Sequence, residues 1–372
     1  MSIKEELNAL GQTVLVFQGG GALGAYQAGV YQALHEAGVE PDWVIGTSIG
    51  AINAALIAGN PAEDRLDRLH EFWRRVEHGH AFESSLFKAL NPLRTMAAIT
   101  GGIPAFFTPN PFAFLGQQVP LGPEEAGYYS VTPLQRTLAD LVDFERINDG
   151  PMRLTVGAAH VQTGAMRYFD TDDETLDARH VLASGALPPA FPAVRIDGEL
   201  YWDGGIVSNT PVEAVFDDQP RQNAVVFSVH LWNPHGPEPK SIWEVANRQK
   251  DIQYASRSST HIARQRQLHR LRHVISRLAA LVPAGSSDAP EVEELAGYGC
   301  VTKMHVVRLL APRLDHEDHT KDVDFSPTGI RKRWNAGYRD TLATLKQRPW
   351  RAGSDPLEGF ILHEAIGGEV VL

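Results

Sequence analysis

A single cysteine, Cys300, is all the thiol chemistry that this chain of 372 residues holds. It can form no internal disulfide and build no thiolate metal cage, so a cross-linked secreted scaffold is excluded and a reducing, cytoplasmic setting is expected. Basic residues are in the minority, 34 Lys and Arg against 45 Asp and Glu, for a formal net charge of −11. Phosphate backbones repel such a chain, so no nucleic acid is expected as a partner. No run approaches the ~18 to 20 apolar residues that span a bilayer. The opening MSIKEELNALGQ carries acids and lacks the apolar stretch of a secretory signal. Any action on lipid is therefore expected from the surface, at most peripheral to the inner face of the membrane. What remains is ordinary: 43% apolar and 21% charged residues describe a folded globular chain. At ~150 residues per domain it has room for two domains or one large α/β unit.

Val14-Leu15-Val16-Phe17 is a short apolar run stopped by Gly19-Gly20-Gly21, the pattern of a buried parallel strand. Helix formers from Ala25 to Ala37 end at Gly38; Trp43-Val44-Ile45 reads as a second strand and Ile49 to Ala58 as a second helix closed by Gly59. This β-turn-α-β-turn-α opening predicts a parallel sheet with helices on both faces and functional groups at the carboxyl edge of the strands. Pro61 to Val76 reads as an amphipathic helix, and the Phe-, Pro- and Gly-rich stretch from about Asn91 to Gly127 as a long loop or broken cap. Further strands are expected at Arg153 to Val161, Met166 to Phe169, Leu200 to Trp202, Ala224 to His230 and His305 to Leu310. Helices are expected from Thr132-Pro133, over roughly Ile242 to Leu281, and from Ser326-Pro327 to about Leu345.

Gly46-Thr47-Ser48-Ile49-Gly50 fits G-x-S-x-G on a strand-to-helix turn, where flanking glycines permit a tight path and the serine stands clear at a helix N-terminus. Gly19, Gly21 and Gly24 also satisfy G-x-G-x-x-G, but a dinucleotide site needs an acid at the end of the second strand. The only acid nearby, Asp42, precedes that strand. The glycines are better used to present bare N–H groups, from Gly20 and Gly21, to an oxygen that becomes negative in acyl transfer. An acyl-transfer serine needs a base, and fifteen histidines cannot be sorted by counting. The more pointed local pattern is Leu200-Tyr201-Trp202-Asp203-Gly204-Gly205, a strand ending in a carboxylate and two glycines, although Asp-Gly-Gly alone also fits a hairpin turn.

Taken in order, Gly19-Gly20-Gly21-Ala22-Leu23-Gly24, Gly46-Thr47-Ser48-Ile49-Gly50, Ala183-Ser184-Gly185-Ala186-Leu187-Pro188 through Phe191-Pro192, and Asp203-Gly204-Gly205 with Asn209-Thr210-Pro211 resemble the patatin-like phospholipases. That resemblance implies a three-layer α/β/α sandwich with a central, mostly parallel sheet. It also implies a Ser-Asp dyad of Ser48 as nucleophile and Asp203 as general base, and an oxyanion hole from Gly19, Gly20 and Gly21. Gly46 and Gly50 would flank the nucleophile elbow. The match runs from residue 13 to about 230, so a catalytic domain over 1–235 and a C-terminal extension over 236–372, packed on it, are expected. Asp322-Val323-Asp324-Phe325-Ser326 and Trp334 to Leu345 resemble an extension seen in a bacterial subgroup of the family.

The expected function is hydrolysis of a lipid or other carboxylic ester without metal or cofactor, with transient contact to a membrane surface. Two alternatives stay open: a non-catalytic lipid-binding or scaffold protein of the same fold, and an esterase for short or polymeric hydroxyacid esters. Asp203 is expected to have a pKa raised by burial to suit neutral pH. Other features read more plainly. His230, at a strand end, is expected to be structural. His316-x-x-His319 with Asp315, Glu317 and Asp318 reads as a solvated turn rather than a metal site. Phe106, Phe107, Phe112 and Phe114 read as packing of a cap over the core rather than a lid. The run Arg257, Arg264, Arg266, His269, Arg270, Arg272, His273 and Arg277 reads as a solvated helix face rather than a membrane anchor.

Overall fold

The computed structural model describes residues 1–78, 101–116, 118–283, 290–314, 317, 319–352, 355, 357–366 and 369–371. Its strands are β1 (Gln12–Phe17), β2 (Trp43–Thr47), β3 (Thr108–Pro109), β4 (Tyr129–Ser130), β5 (Arg153–His160), β6 (Met166–Asp170), β7 (Val194–Ile196), β8 (Glu199–Asp203), β9 (Ala224–His230), β10 (Met304–Leu310), β11 (Phe360–Ile366) and β12 (Glu369–Val371). Its helices are α1 (Ile3–Leu10), α2 (Ala25–Glu36), α3 (Ile49–Ala58), α4 (Ala62–Arg75), α5 (Thr132–Leu141), α6 (Phe144–Asp149), α7 (Ala178–Ser184), α8 (Glu213–Phe216), α9 (Ile242–Ala279), α10 (Pro290–Ala296) and α11 (Pro327–Gln347).

Ten strands form one sheet in the order β12-β11-β10-β9-β1-β2-β5-β8-β7, with β6 also paired to β5. The six from β11 to β5 run parallel; β6, β8 and β12 pair antiparallel to their neighbours. Central strands of a parallel sheet are buried on both faces, which is why β1, β2 and β9 read as unbroken apolar runs. Period-two alternation then divides their side chains between two cores. Leu15, Phe17, Val44, Val225, Phe227, Val307 and Leu309 face α2, α3, α4 and α11. Val14, Val16, Trp43, Ile45, Val226, Met304 and Val306 face α8 and α9 through Val215, Phe216 and Ile262. The architecture is thus the expected three-layer α/β/α sandwich.

The expected boundary near residue 235 falls in the loop between β9 and α9. Beyond it the chain supplies β10, β11 and β12 to the same sheet, and α11 crosses α2 closely. A Cβ on Gly29 would lie 1.9 Å from Trp334 O, and one on Gly337 2.0 Å from Tyr26 O, so only hydrogen at both positions lets these helices touch. The run of basic residues on α9 is not one solvated face. His269 and His273 turn inward, each with Nε2 within 2.9 Å of Thr302 O, while Arg266 bonds Glu358 at 2.7 Å. The Arg257 side chain lies outside the described residues. No helix among the described residues is long and apolar enough to cross a membrane.

Candidate active site

Ser48 sits between the end of β2 and the start of α3 with φ 58° and ψ −126°. A non-glycine residue held at such a φ costs of order 1–3 kcal/mol, and persists only when its surroundings fix it. Here they do. A Cβ on Gly46 would lie 2.3 Å from Gly50 O, and one on Gly50 2.4 Å from Phe17 O, so strand, turn and helix close up only with glycine at both. The Ser48 N–H donates to Ser184 Oγ at 2.9 Å, and the Ser184 hydroxyl donates to Gly157 O at 2.6 Å. The part Ser184 plays in pinning the turn depends on a contact 136 positions away, which no local pattern reveals.

Strand pairing explains how Asp203 comes to the same place. On β5, β2 pairs with residues 153–157 and β6 with 155–159, so the two occupy opposite edges. Because β8 pairs with 158–160, where β6 already fills its edge, β8 must lie on the β2 edge. Thr47 is opposite Gly157 and Asp203 is opposite Ala158. The two strands run toward each other and both end there, opposite consecutive residues of a shared neighbour, which brings Ser48 and Asp203 to one cavity wall. Gly204 is needed at this junction, since a Cβ there would lie 2.5 Å from Gly157 O. The Asp203 side chain is buried and accepts the Gly205 N–H at 2.7 Å. Burial pushes its pKa up, while the hydrogen-bonding pull of the Ser48 side chain and the Gly205 amide lowers it; the balance lies at about 6.

Gly19, Gly20 and Gly21 border the same cavity. Each is close-fitted: a Cβ would strike Asn209 Oδ1 at 2.4 Å, Leu231 Cδ1 at 2.9 Å and Asp322 O at 2.2 Å respectively. The Gly19 N–H is engaged by Asn209 O at 3.1 Å, so of the three expected donors Gly20 and Gly21 remain. Gln18 holds the loop from behind. Its Oε1 accepts from the N–H groups of Leu231 and Trp232, its Nε2 donates to Thr210 Oγ1 at 2.6 Å, and its backbone oxygen accepts from Gln27. Sequence reasoning passed over Gln18, because nothing beside it in the chain signals three distant partners.

The cavity has about 1150 Å³ of empty space, its open mouth included, and its wall is largely apolar: Ile52, Phe106, Phe107, Leu134, Leu182 and Phe191 contribute. Phe106 and Phe107 pack on the core, as expected, and line the site as well, whereas Phe112 is exposed. The Phe114 side chain lies outside the described residues. The region beyond residue 235 completes the wall with Tyr254, Asp322, Val323 and Phe325. His230 is buried at the end of β9, its Nε2 2.9 Å from Ser228 Oγ, and is not part of the cavity lining. Asp315, His316 and Asp318 lie outside the described residues.

Comparison with known proteins bears on the family of the chain. A family model described as patatin-like phospholipase matches residues 15–216, more than half of the chain, and another described as patatin phospholipase matches residues 252–357. The patatin-like phospholipase domain-containing protein ZK370.4 of Caenorhabditis elegans is 28% identical over 210 residues, 56% of this chain and 13% of that protein. Lysophospholipase nte1 of Aspergillus terreus is 38% identical over 92 residues, 20% of this chain and 6% of that protein. The chain thus matches only a small part of the length of these relatives. Among solved structures, VipD from Legionella pneumophila aligns over 88% of this chain and 67% of its own, with 16% identity and a TM-score of 0.35. Matched over more than half its length by the family's own model, the chain belongs to the patatin-like phospholipase family.

Proposed function

We propose that this protein hydrolyses carboxylic esters of lipids through Ser48 and Asp203. Membership of the family implies a lipid substrate and acyl hydrolysis; the residue roles are our reading. The observation that carries it is the meeting of a serine at positive φ with a buried carboxyl of pKa about 6 in one apolar cavity beside a glycine loop.

In this reading Asp203 takes the Ser48 proton as Oγ attacks the ester carbonyl, and the carbonyl oxygen becomes negative against the Gly20 and Gly21 amides. Collapse of the tetrahedral species expels the alcohol, which receives the proton held by Asp203. Water then attacks the acyl-enzyme by the same route and restores Ser48. The N-terminus of α3 adds partial positive charge near the developing oxyanion. The apolar wall receives the acyl chain, each buried CH₂ contributing about 0.8 kcal/mol.

A fluorophosphonate probe tests the proposal. Covalent labelling of the parent chain that is absent in a folded Ser48→Ala variant is the expected result. A folded parent chain that takes no label at Ser48 would favour a non-catalytic protein of the same fold.

A further inference from the structure

Trp232 belongs to neither family match, lying between residues 216 and 252, and follows β9 in a loop that no motif marks. Its indole Nε1–H donates to Gly19 O at 2.8 Å, and Asn209 Nδ2 donates to the same oxygen at 3.1 Å. That carbonyl and the Gly20 N–H belong to one peptide unit. A trans peptide is planar, with its C=O and N–H pointing in opposite directions, so fixing the oxygen fixes the direction of the amide hydrogen. A donor on the carbonyl also polarises the unit and strengthens its N–H as a donor. Among the described residues none accepts the Gly20 N–H, although Gly20 borders the cavity that holds Ser48.

The indole itself has two close neighbours. The Tyr254 ring lies 4.8 Å from it, centroid to centroid, and Lys321 Nζ lies 5.3 Å from its centroid. Lys321 is buried and donates to Asp251 Oδ1 at 2.5 Å, while the other oxygen of that fully buried carboxylate accepts from Arg313 at 2.6 Å. A buried ion pair of this kind does little for net stability but holds its members in one arrangement. All of these groups except Trp232 and Asn209 come from the α9-to-α11 part of the chain.

We infer that Trp232 is a positioning residue: with Asn209 it orients the Gly19–Gly20 peptide so that the Gly20 N–H donates to the oxyanion, and Lys321 and Tyr254 hold its ring for that purpose. The inference rests on the ester-hydrolase reading above. Its effect belongs to the transition state and the tetrahedral species beside it, because the oxygen it serves gains its negative charge there and not in the bound ester.

Trp232→Phe keeps a ring beside Tyr254 and Lys321 but removes the N–H. Loss of one direct oxyanion donor costs ~10²–10³ in kcat, so loss of a hydrogen bond acting through that donor should cost about tenfold. With a p-nitrophenyl ester the expected result is kcat down about tenfold and KM within about twofold. Affinity for a trifluoromethyl ketone, which forms a tetrahedral oxyanion on serine, should weaken by the same factor as kcat. A folded variant with unchanged kcat, or one whose KM rises while its ketone affinity holds, overturns the inference. Should Trp232→Phe fail to fold, Asn209→Asp removes the other donor, and the same split is expected; unchanged kcat there overturns it equally. A parent chain that hydrolyses no ester and takes no fluorophosphonate on Ser48 defeats the hydrolase reading and this inference together. An active parent with an indifferent Trp232→Phe defeats the inference alone.

Discussion

Asp203 shows how burial can suit a carboxylate to the proposed role of base near neutral pH. Burial raises its pKa from 3.8 to about 6, against the pull of Ser48 and the Gly205 amide. The base proposed here must be ionised, so kcat/KM is expected to rise with pH along one acidic limb with a midpoint near 6. A midpoint near 7 that shifts on histidine substitution would rule out the aspartate base. The same shift bears on stability with opposite sign. A carboxyl whose pKa is raised on folding favours the fold while protonated, and that benefit is lost as pH rises from about 4 through 6. At ~1.4 kcal/mol per unit, the buried charge costs up to about 3 kcal/mol above pH 7. Asp203→Asn is therefore expected to lose activity yet unfold at higher denaturant than the parent at pH 8, by about 1–3 kcal/mol, with the difference vanishing near pH 4. Parallel urea titrations at the two pH values check this. Ser48 stood out in the sequence through the glycines on either side of it, whereas Asp203, followed by two glycines, drew its expected role from the family resemblance. The parts played by Ser184, Gln18 and Trp232 were not legible, since an isolated serine, glutamine or tryptophan carries no trace of the distant carbonyls and amides it will meet.

Among the helices and strands, legibility followed length and periodicity. Helix α3 was expected from Ile49 to Ala58 and has those bounds; β9 was expected over Ala224 to His230 and has them too. Both are largely apolar, one closed by Gly59 and the other opening after Asn223. Helix α1 was missed although Ser2 and Glu5 form a capping box, the Ser2 hydroxyl accepting the Glu5 N–H at 3.2 Å and the Glu5 carboxylate the Ser2 N–H at 2.8 Å. That pattern is readable when it is looked for. Strand β7, with three residues, carries too little pattern to stand out, and β11 owes its place to its partner β10. The α2–α11 crossing was also invisible, because glycine inside a helix reads as a weakness until its neighbour is known. Gly337→Ala is expected to force the two backbones apart and to cost about 1–3 kcal/mol, read as a lower denaturation midpoint at unchanged m-value. An exposed glycine would instead gain stability on the same substitution.

Considered as a single body, the molecule carries one sheet across residue 235, with strands from both sides of that position. Strand β9 pairs with β10 along its whole length, from Ala224 opposite Met304 to His230 opposite Leu310. Cutting the chain after residue 235 would uncover that edge, with every residue of β9 buried in the intact protein. An exposed, apolar strand edge templates aggregation. The shortened chain is thus expected in the insoluble fraction, or as large aggregates on gel filtration, where the full chain gives a discrete peak. A soluble and active 1–235 fragment would show that the later strands are dispensable.

The handover from β2 to β8 along one edge of β5 has a mechanical corollary. Ser48 and Asp203 are tethered to adjacent rungs of a common rail, deep in the sheet, so bending of the outer helices carries both alike and leaves the gap between them unaltered. The moving parts of the site are then confined to what surrounds that gap, and slow opening of the wall would govern how fast an acyl chain enters or leaves while the spacing needed for proton exchange stays constant.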